Sequence, residues 1–415
     1  MSAAIEARSR PSLPGPARLG SALALAILLG LLAGGLALAH GGFEDGLALA
    51  LAFGTAFGLV LQRSRFCFYC ALREWLDERE PDGILGLLAA LASGAVGYAL
   101  VFGAWLPDPA TGRLPPDAFI GSLAWTLGLG GLAFGAGMAI SGSCLSAHLY
   151  RLGEGSPTAP FALFGALIGF ALGFASWNPL FLAFVSEAPT VWLPAWLGYP
   201  GWLAATLIVI AALAWPALLR ASPRRAAARD RLAALAADAG TPALKPLRAV
   251  FAARWPGWLG GLFVGAIGAF AYLRVAPLGV TAELSARARD LGTAAGLVPA
   301  TLNGLDALRG CVSIAADMLL SNNGVFVLSL VAASLASALA AGEFRPRTPR
   351  RSEALRGVLG GVLLGWGAMV ALGCSVGTLL SGIHAGALSG WAFGAAMIAG
   401  IVVWRALERL VRRGS

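Results

Sequence analysis

The chain has 415 residues, 58% of them hydrophobic and only 12% charged, with a mean hydropathy of +0.76. Soluble domains carry about 25% charged residues, so this composition excludes a soluble protein and describes an all-α integral membrane one embedded in a lipid bilayer. The net charge of +9 does not point to nucleic acid, because the arginines lie in short segments between apolar windows rather than along one helix face or in a separate domain.

In chain order, nearly uncharged windows fall at 19–39, 46–62, 83–104, 121–141, 158–176, 200–219, 257–275, 323–342, 356–373 and 388–408. Each is close to the about 20 residues that cross a bilayer as a helix. Arg8, Arg10 and Arg18 before the first window resemble the start of a secretory signal. The apolar run nevertheless continues to Ala39 without a small-x-small cleavage site, which reads as a first transmembrane helix. The segment 220–256 holds Arg220, Arg224, Arg225, Arg229, Arg231, Lys245, Arg248 and Arg254 against Asp230 and Asp238, and the positive-inside rule assigns it to the cytoplasm. Arg345 to Arg356 and the tail arginines follow it there. Ten crossings with both termini cytoplasmic satisfy these constraints. The expected organisation is an N-terminal cytoplasmic arm (1–18), a first membrane repeat (19–219), a basic cytoplasmic linker (220–256), a second membrane repeat (257–408) and a cytoplasmic tail (409–415).

Two stretches repeat one another. In "GGLAFGAGMAISGSCLSAHL" (130–149) and "GGVLLGWGAMVALGCSVGTL" (360–379), Gly130, Gly131, Gly135, Gly137, Cys144 and Leu149 meet Gly360, Gly361, Gly365, Gly367, Cys374 and Leu379 at a constant offset of 230. Glycine is abundant here, so the cysteine, one of five, carries the match. By the topology above the two segments run in opposite directions, which predicts two inverted five-helix repeats. Secondary transporters recur in this form, with discontinuous helices near the bilayer midplane, and some channels share it. The glycines at 131/135 and 361/365 read as close-packing GxxxG contacts.

After Cys144 and Cys374 come the small and hydroxyl residues "LSAH" and "SVGT", which predict short second helices. A helix starting inside a membrane aims free N–H groups at whatever occupies the break, and irregular backbone there is tolerated only beside protein or a wet cavity. A neutral thiol is a small, weak donor that can meet an anionic sulfur or oxygen without a buried fixed charge. A single buried cysteine is by default a packing residue. The symmetric pair Cys144 and Cys374 reads instead as two halves of one gate. Cys67 and Cys70 in "QRSRFCFYCALRE" follow the second helix, and Cys311 in "NGLDALRGCVS" occupies the equivalent connection of the other half. The candidate path therefore comprises Cys67, Cys70, Cys144, Cys311 and Cys374, with His148 as a polar wall residue and Arg309 beside Cys311.

Cys67-x-x-Cys70 also admits a redox pair, half of a metal site, or packing. No metal site is expected, since His40, His148 and His384 are not spaced to complete one. Arg63, Arg65 and Arg73 read as cytoplasmic anchors, one of which is an alternative partner for a departing anion. No nucleotide loop, metalloprotease helix or nucleophile elbow is present, so neither an ATP-driven motor nor an enzyme is expected, and no cofactor.

The stretch "GWGAMVALGCSVGTLLSGIHAGALSGWAFGAAMIAG" resembles the C-terminal half of the YeeE/YedE family of bacterial inner-membrane proteins, and "QRSRFCFYCALRE" and "GMAISGSCLSAH" look like its first-half motifs. The resemblance implies uptake of a sulfur compound, notably thiosulfate, with Cys67, Cys144 and Cys374, followed by Cys70 and Cys311, in contact with the anion. It also implies a soluble cytoplasmic sulfur-carrier protein as partner. Some relatives are associated with selenium, so a selenium compound is the alternative cargo. A membrane redox or sulfur-transfer protein using Cys67 and Cys70 is the alternative activity, and a structural subunit with merely packed cysteines is the third reading.

Overall fold

A computed structural model describes residues 16–41, 45–219, 250–251, 253–305, 308, 310 and 321–414. Cys311, Arg309, Asp306 and Asp317, and nearly all of the basic linker, lie outside the described residues. The helices are α1 (Pro16–His40), α2 (Asp45–Ser64), α3 (Phe68–Glu78), α4 (Asp82–Trp105), α5 (Trp125–Ser141), α6 (Leu145–Gly153), α7 (Ala159–Leu180) and α8 (Leu193–Leu219). They continue as α9 (Gly257–Arg274), α10 (Ala282–Ala294), α11 (Asn322–Ala340), α12 (Arg351–Val370), a π-helical stretch Ser375–Ser381 running into Gly382–His384, and α13 (Leu388–Gly414).

Among the described residues ten segments are long and apolar enough to cross a membrane, at the expected places. Two are broken helices: α2 with α3 forms Gly46–Glu78, and α5 with α6 forms Trp125–Gly153. The sixth, Leu193–Leu219, is interrupted at Gly198, whose φ of 66° and ψ of 169° are non-helical, so the expected window from residue 200 matches the helix beyond that kink. Leu25, Leu29, Leu32 and Leu36 of α1 and Ile208, Leu213 and Leu218 of α8 face outward, as lipid contact requires.

Packing between these helices is set by missing side chains. Lipid chains are as apolar as leucine, so helices in a bilayer associate by close fit rather than by escape from water. The α5 and α12 backbones touch: a Cβ on Gly137 would stand 2.7 Å from the Gly360 carbonyl oxygen, and one on Gly130 2.7 Å from that of Gly367. The larger residue number on one helix meets the smaller on the other, so α5 and α12 run antiparallel. The contact is also reciprocal, since Gly130 and Gly360 are equivalent at the offset of 230, as are Gly137 and Gly367. Around this crossing α7 lies along α12, α13 along α5, α9 along α4 and α11 along α2.

Extending the α5–α12 register puts Val370 level with Leu127, so the broken ends after Ser141 and Val370 lie about 20 Å apart at a rise of about 1.5 Å per residue. Cys144 and Cys374 follow those ends. They stand at opposite ends of the crossing and do not meet, so the reading of them as two halves of one gate is corrected to two separate sites.

Filling the crossing should unseat it. Gly367→Leu is expected to destabilise the protein by about 1–3 kcal/mol, the range for overpacking. Gly30→Leu on α1, where a Cβ meets nothing within 4 Å, should leave stability nearly unchanged. Thermal unfolding in detergent, with size-exclusion profiles, compares them.

Candidate functional site

The first thiol site forms where two membrane segments break. α2 ends at Ser64, Arg65 takes a left-handed φ of 51°, and the chain turns into α3 with Cys67 as N-cap. The Cys67 sulfur accepts the Cys70 N–H at 3.4 Å, the place a serine or aspartate oxygen usually takes at a helix start. α5 ends in the same manner. Gly142, at φ 83°, donates its N–H to the Met138 carbonyl at 2.8 Å, Ser143 follows, and Cys144 is the N-cap of α6. Only glycine adopts that left-handed turn without strain.

The two breaks meet. Cys67, Cys70 and Cys144 are all buried, and the Cys67 thiol adjoins those of Cys144 and Cys70. Ser143 Oγ lies 3.8 Å from Cys67 Sγ, and Ser146 Oγ 3.3 Å from Cys144 Sγ. Cys144 faces the Ala147 N–H without closing a cap hydrogen bond, so first-turn donors of α6 remain available. His148 sits just behind. Ser141 Oγ donates to the Gly137 carbonyl at 2.8 Å, so His148 Nε2 donates to Ser141 Oγ at 3.1 Å, leaving the buried Nδ1 without a partner.

The second site holds one thiol among the described residues. α12 ends at Val370, Leu372 takes φ 60° at the position equivalent to Gly142, and Cys374 begins the π-helical stretch. For leucine that turn costs about 1–2 kcal/mol. Cys374 is fully buried, faces the N–H groups of Val376 and Gly377, and touches the Thr281 hydroxyl before α10. The Ser375 hydroxyl beside it is buried without a partner, and Gly310 abuts Leu372. His384 closes this region by donating Nε2–H to the Ala90 carbonyl at 3.0 Å, against the Tyr98 ring.

A polar network borders the three-thiol site. Arg63, expected as a cytoplasmic anchor, is fully buried, and Glu343 supplies it a carboxylate at 2.8 Å. Arg254 binds the same carboxylate at 2.6 Å and the Gln62 carbonyl at 2.7 Å. Gln62 Nε2 donates to Glu343 at 2.9 Å and to Glu154 at 3.1 Å. Ser337 Oγ donates to Gln62 Oε1 at 2.9 Å. A buried charge is tolerable only when paired this fully, and the pairing ties the ends of α2, α6 and α11 to the residues before α9.

The structure thus brings together Cys67, Cys70 and Cys144, holds His148 on the Ser141 hydroxyl at the end of α5, and leaves Cys374 apart. Sequence reasoning missed Arg151, whose Nη2 donates to Cys70 Sγ at 3.2 Å, as well as Ser143, Ser146 and Thr281. Arg151 was visible as a cation seven residues after Cys144, the spacing that shares a helix face. Among the described residues no three His, Cys, Asp or Glu side chains converge as a metal ion would need.

A family model described as sulphur transport matches residues 63–403. The chain is 30% identical over 365 residues to the thiosulfate transporter TsuA of Escherichia coli K12, covering 85% of this chain and 91% of that one. It is 28% identical over 360 residues to TsuA of Spirochaeta thermophila, covering 82% and 92%. To the probable transporter YedE of Escherichia coli K12 it is 29% identical over 204 residues, covering 48% and 47%.

The network makes a pH-dependent contribution through Glu343. Burial pushes this carboxyl up, but Arg63 and Arg254 outweigh it and hold the group below its ordinary 4.5. The contribution is therefore complete above that value and is lost as pH falls through the lower folded-state one. Glu343→Gln should lower the unfolding temperature at neutral pH, and its deficit against wild type should shrink as pH falls below 4.5; melting curves at stepped pH read it.

Proposed function

This chain belongs to the sulphur-transport family, and we propose that it carries thiosulfate, a small sulfur-containing anion, into the cytoplasm through a path lined by neutral cysteine thiols. It is a transporter rather than an enzyme. The observation that carries the reading is the placement of Cys67, Cys144 and Cys374, each buried at the N-cap of a helix that starts where a membrane segment breaks. Each site offers an S–H and backbone N–H groups together, and the unpaired Ser375 hydroxyl adds a donor at the second. These are neutral donors. They suit an anion that must be bound and released again, because a selective path needs contacts favourable enough for entry and weak enough for exit.

The reciprocal antiparallel contact of α5 and α12 supports two inverted repeats. The packing partners support a boundary between Ser186 and Trp192, with α8 in the second half: α8 lies along α4 as α1 lies along α11. In this reading the protein is a bacterial inner-membrane permease with both termini cytoplasmic, its three-thiol site is nearer the cytoplasm, and a soluble sulfur carrier receives the cargo inside. The names of the relatives favour thiosulfate over a selenium compound. Cys311 and Arg309 are proposed to lie on the path near Cys374, and His148 in its wall.

Uptake of labelled thiosulfate into a thiosulfate-requiring strain tests the path. Cys144→Ala and Cys374→Ala should each reduce uptake about ten-fold or more, the cost of removing one buried polar contact to a ligand, at unchanged protein level in the membrane. Undiminished uptake in both variants would end the thiol-path reading. Thiol trapping during turnover separates the alternative: a disulfide between Cys67 and Cys70 would favour redox chemistry.

A further inference from the structure

Arg151 differs from other arginines near the thiol sites in what it faces. Arg63 and Arg254 are paired with Glu343, and Arg405 with Asp77. Arg151 makes no ion pair with an Asp or Glu among the described residues. Glu154 is only three positions away, yet its carboxylate is engaged by the Gln62 side chain. The guanidinium instead donates to the sulfur of Cys70, whose neighbour Cys67 adjoins Cys144.

A cation in the last turn of a helix is ordinarily explained by the helix dipole. That explanation accounts for an arginine at this position but not for its direction onto the Cys70 sulfur. An unpaired charge in a partly buried membrane site is costly. An anion bound among the thiols would remove that cost.

We propose that Arg151 is the counter-cation of the three-thiol site, and that Cys70 is a positioning residue which aims the guanidinium rather than a thiol that handles the cargo. The inference rests on the transport reading and deepens it. Cys67 and Cys144 present S–H and N–H donors while Arg151 balances the charge of the anion. The site thereby prefers anions to neutral sulfur species. The Cys374 site has no cation in contact among the described residues.

The test uses the full-length protein, with thiosulfate as the probe, in two measurements: calorimetric binding in detergent and uptake into proteoliposomes. Arg151→Gln should weaken binding and raise the half-saturating concentration about ten-fold or more, in line with loss of a hydrogen bond to a charged group. Arg151→Lys, which keeps the charge, should recover most of that loss. Cys70→Ser, whose hydroxyl still accepts from the guanidinium, should weaken binding less than Cys70→Ala, with maximal uptake rate nearly retained in both. A merely structural role would not give rescue by lysine or a change confined to half-saturation. Wild-type affinity in Arg151→Gln would overturn the assignment, and loss of maximal rate in Cys70→Ser equal to that in Cys70→Ala would return Cys70 to the thiol path. If Arg151→Gln fails to fold, the order of the two Cys70 variants still decides. Wild-type protein that binds thiosulfate without transporting it would sink the transport reading while binding still judges Arg151; wild-type protein that does not bind it would overturn both.

Discussion

The contact on which the rest of this structure depends is the antiparallel crossing of α5 and α12, where glycines let two helix backbones touch. In a bilayer no expulsion of water holds helices together, so the fit of one surface to another must do so. Because both helices carry glycine at the same spacing, each presents the other with an equivalent surface. The consequence is geometric: the broken end of each helix is thrown to the opposite end of the crossing. The neighbours α7 and α13 lie along the same pair, and α2, α4, α9 and α11 pack in a second group.

The two breaks have the same local design and different surroundings. Both use a left-handed residue two positions before the cysteine, Gly142 in one and Leu372 in the other, and both end with a thiol as the N-cap of the helix that follows. At the first break α3 delivers Cys67 and Cys70 to Cys144, and Arg151 adds a positive charge. At the second Cys374 meets hydroxyl and backbone groups, Thr281 and Ser375 among them. A charge acts over longer distances in a low-dielectric interior than a neutral dipole does. Arg151 therefore sets the electrostatics of the first site, and the Arg63–Glu343–Arg254 network beside it keeps its own charges paired.

Much of the architecture was legible in sequence. Apolar windows marked every membrane segment, and the windows at 83–104 and 257–275 fall almost on Asp82–Trp105 and Gly257–Arg274. The breaks at Cys144 and Cys374 were signalled by small residues in otherwise apolar runs. Less could be read where partners were distant. Arg63 looks like an anchor because a string of basic residues after an apolar window normally meets water; its burial follows from Glu343, 280 positions away. Arg151 looks like a helix-end cation until Cys70 is seen beside it. The expected meeting of Cys144 with Cys374 failed because equal motifs suggest equal places, whereas an antiparallel crossing separates them.

Composition and spacing alone thus determined a membrane protein of ten apolar crossings, the repeated cysteine motif and the positions where helices must break. These are properties of short segments, set by hydropathy, by glycine and by the need of a backbone in lipid to satisfy its own hydrogen bonds. Only the tertiary structure decided which thiols share a site, which arginine has a carboxylate among the described residues and which has not, and how far apart the two breaks lie. Those depend on contacts between residues far apart in the chain, and backbone contact at the glycines, rather than any local preference, sets their register.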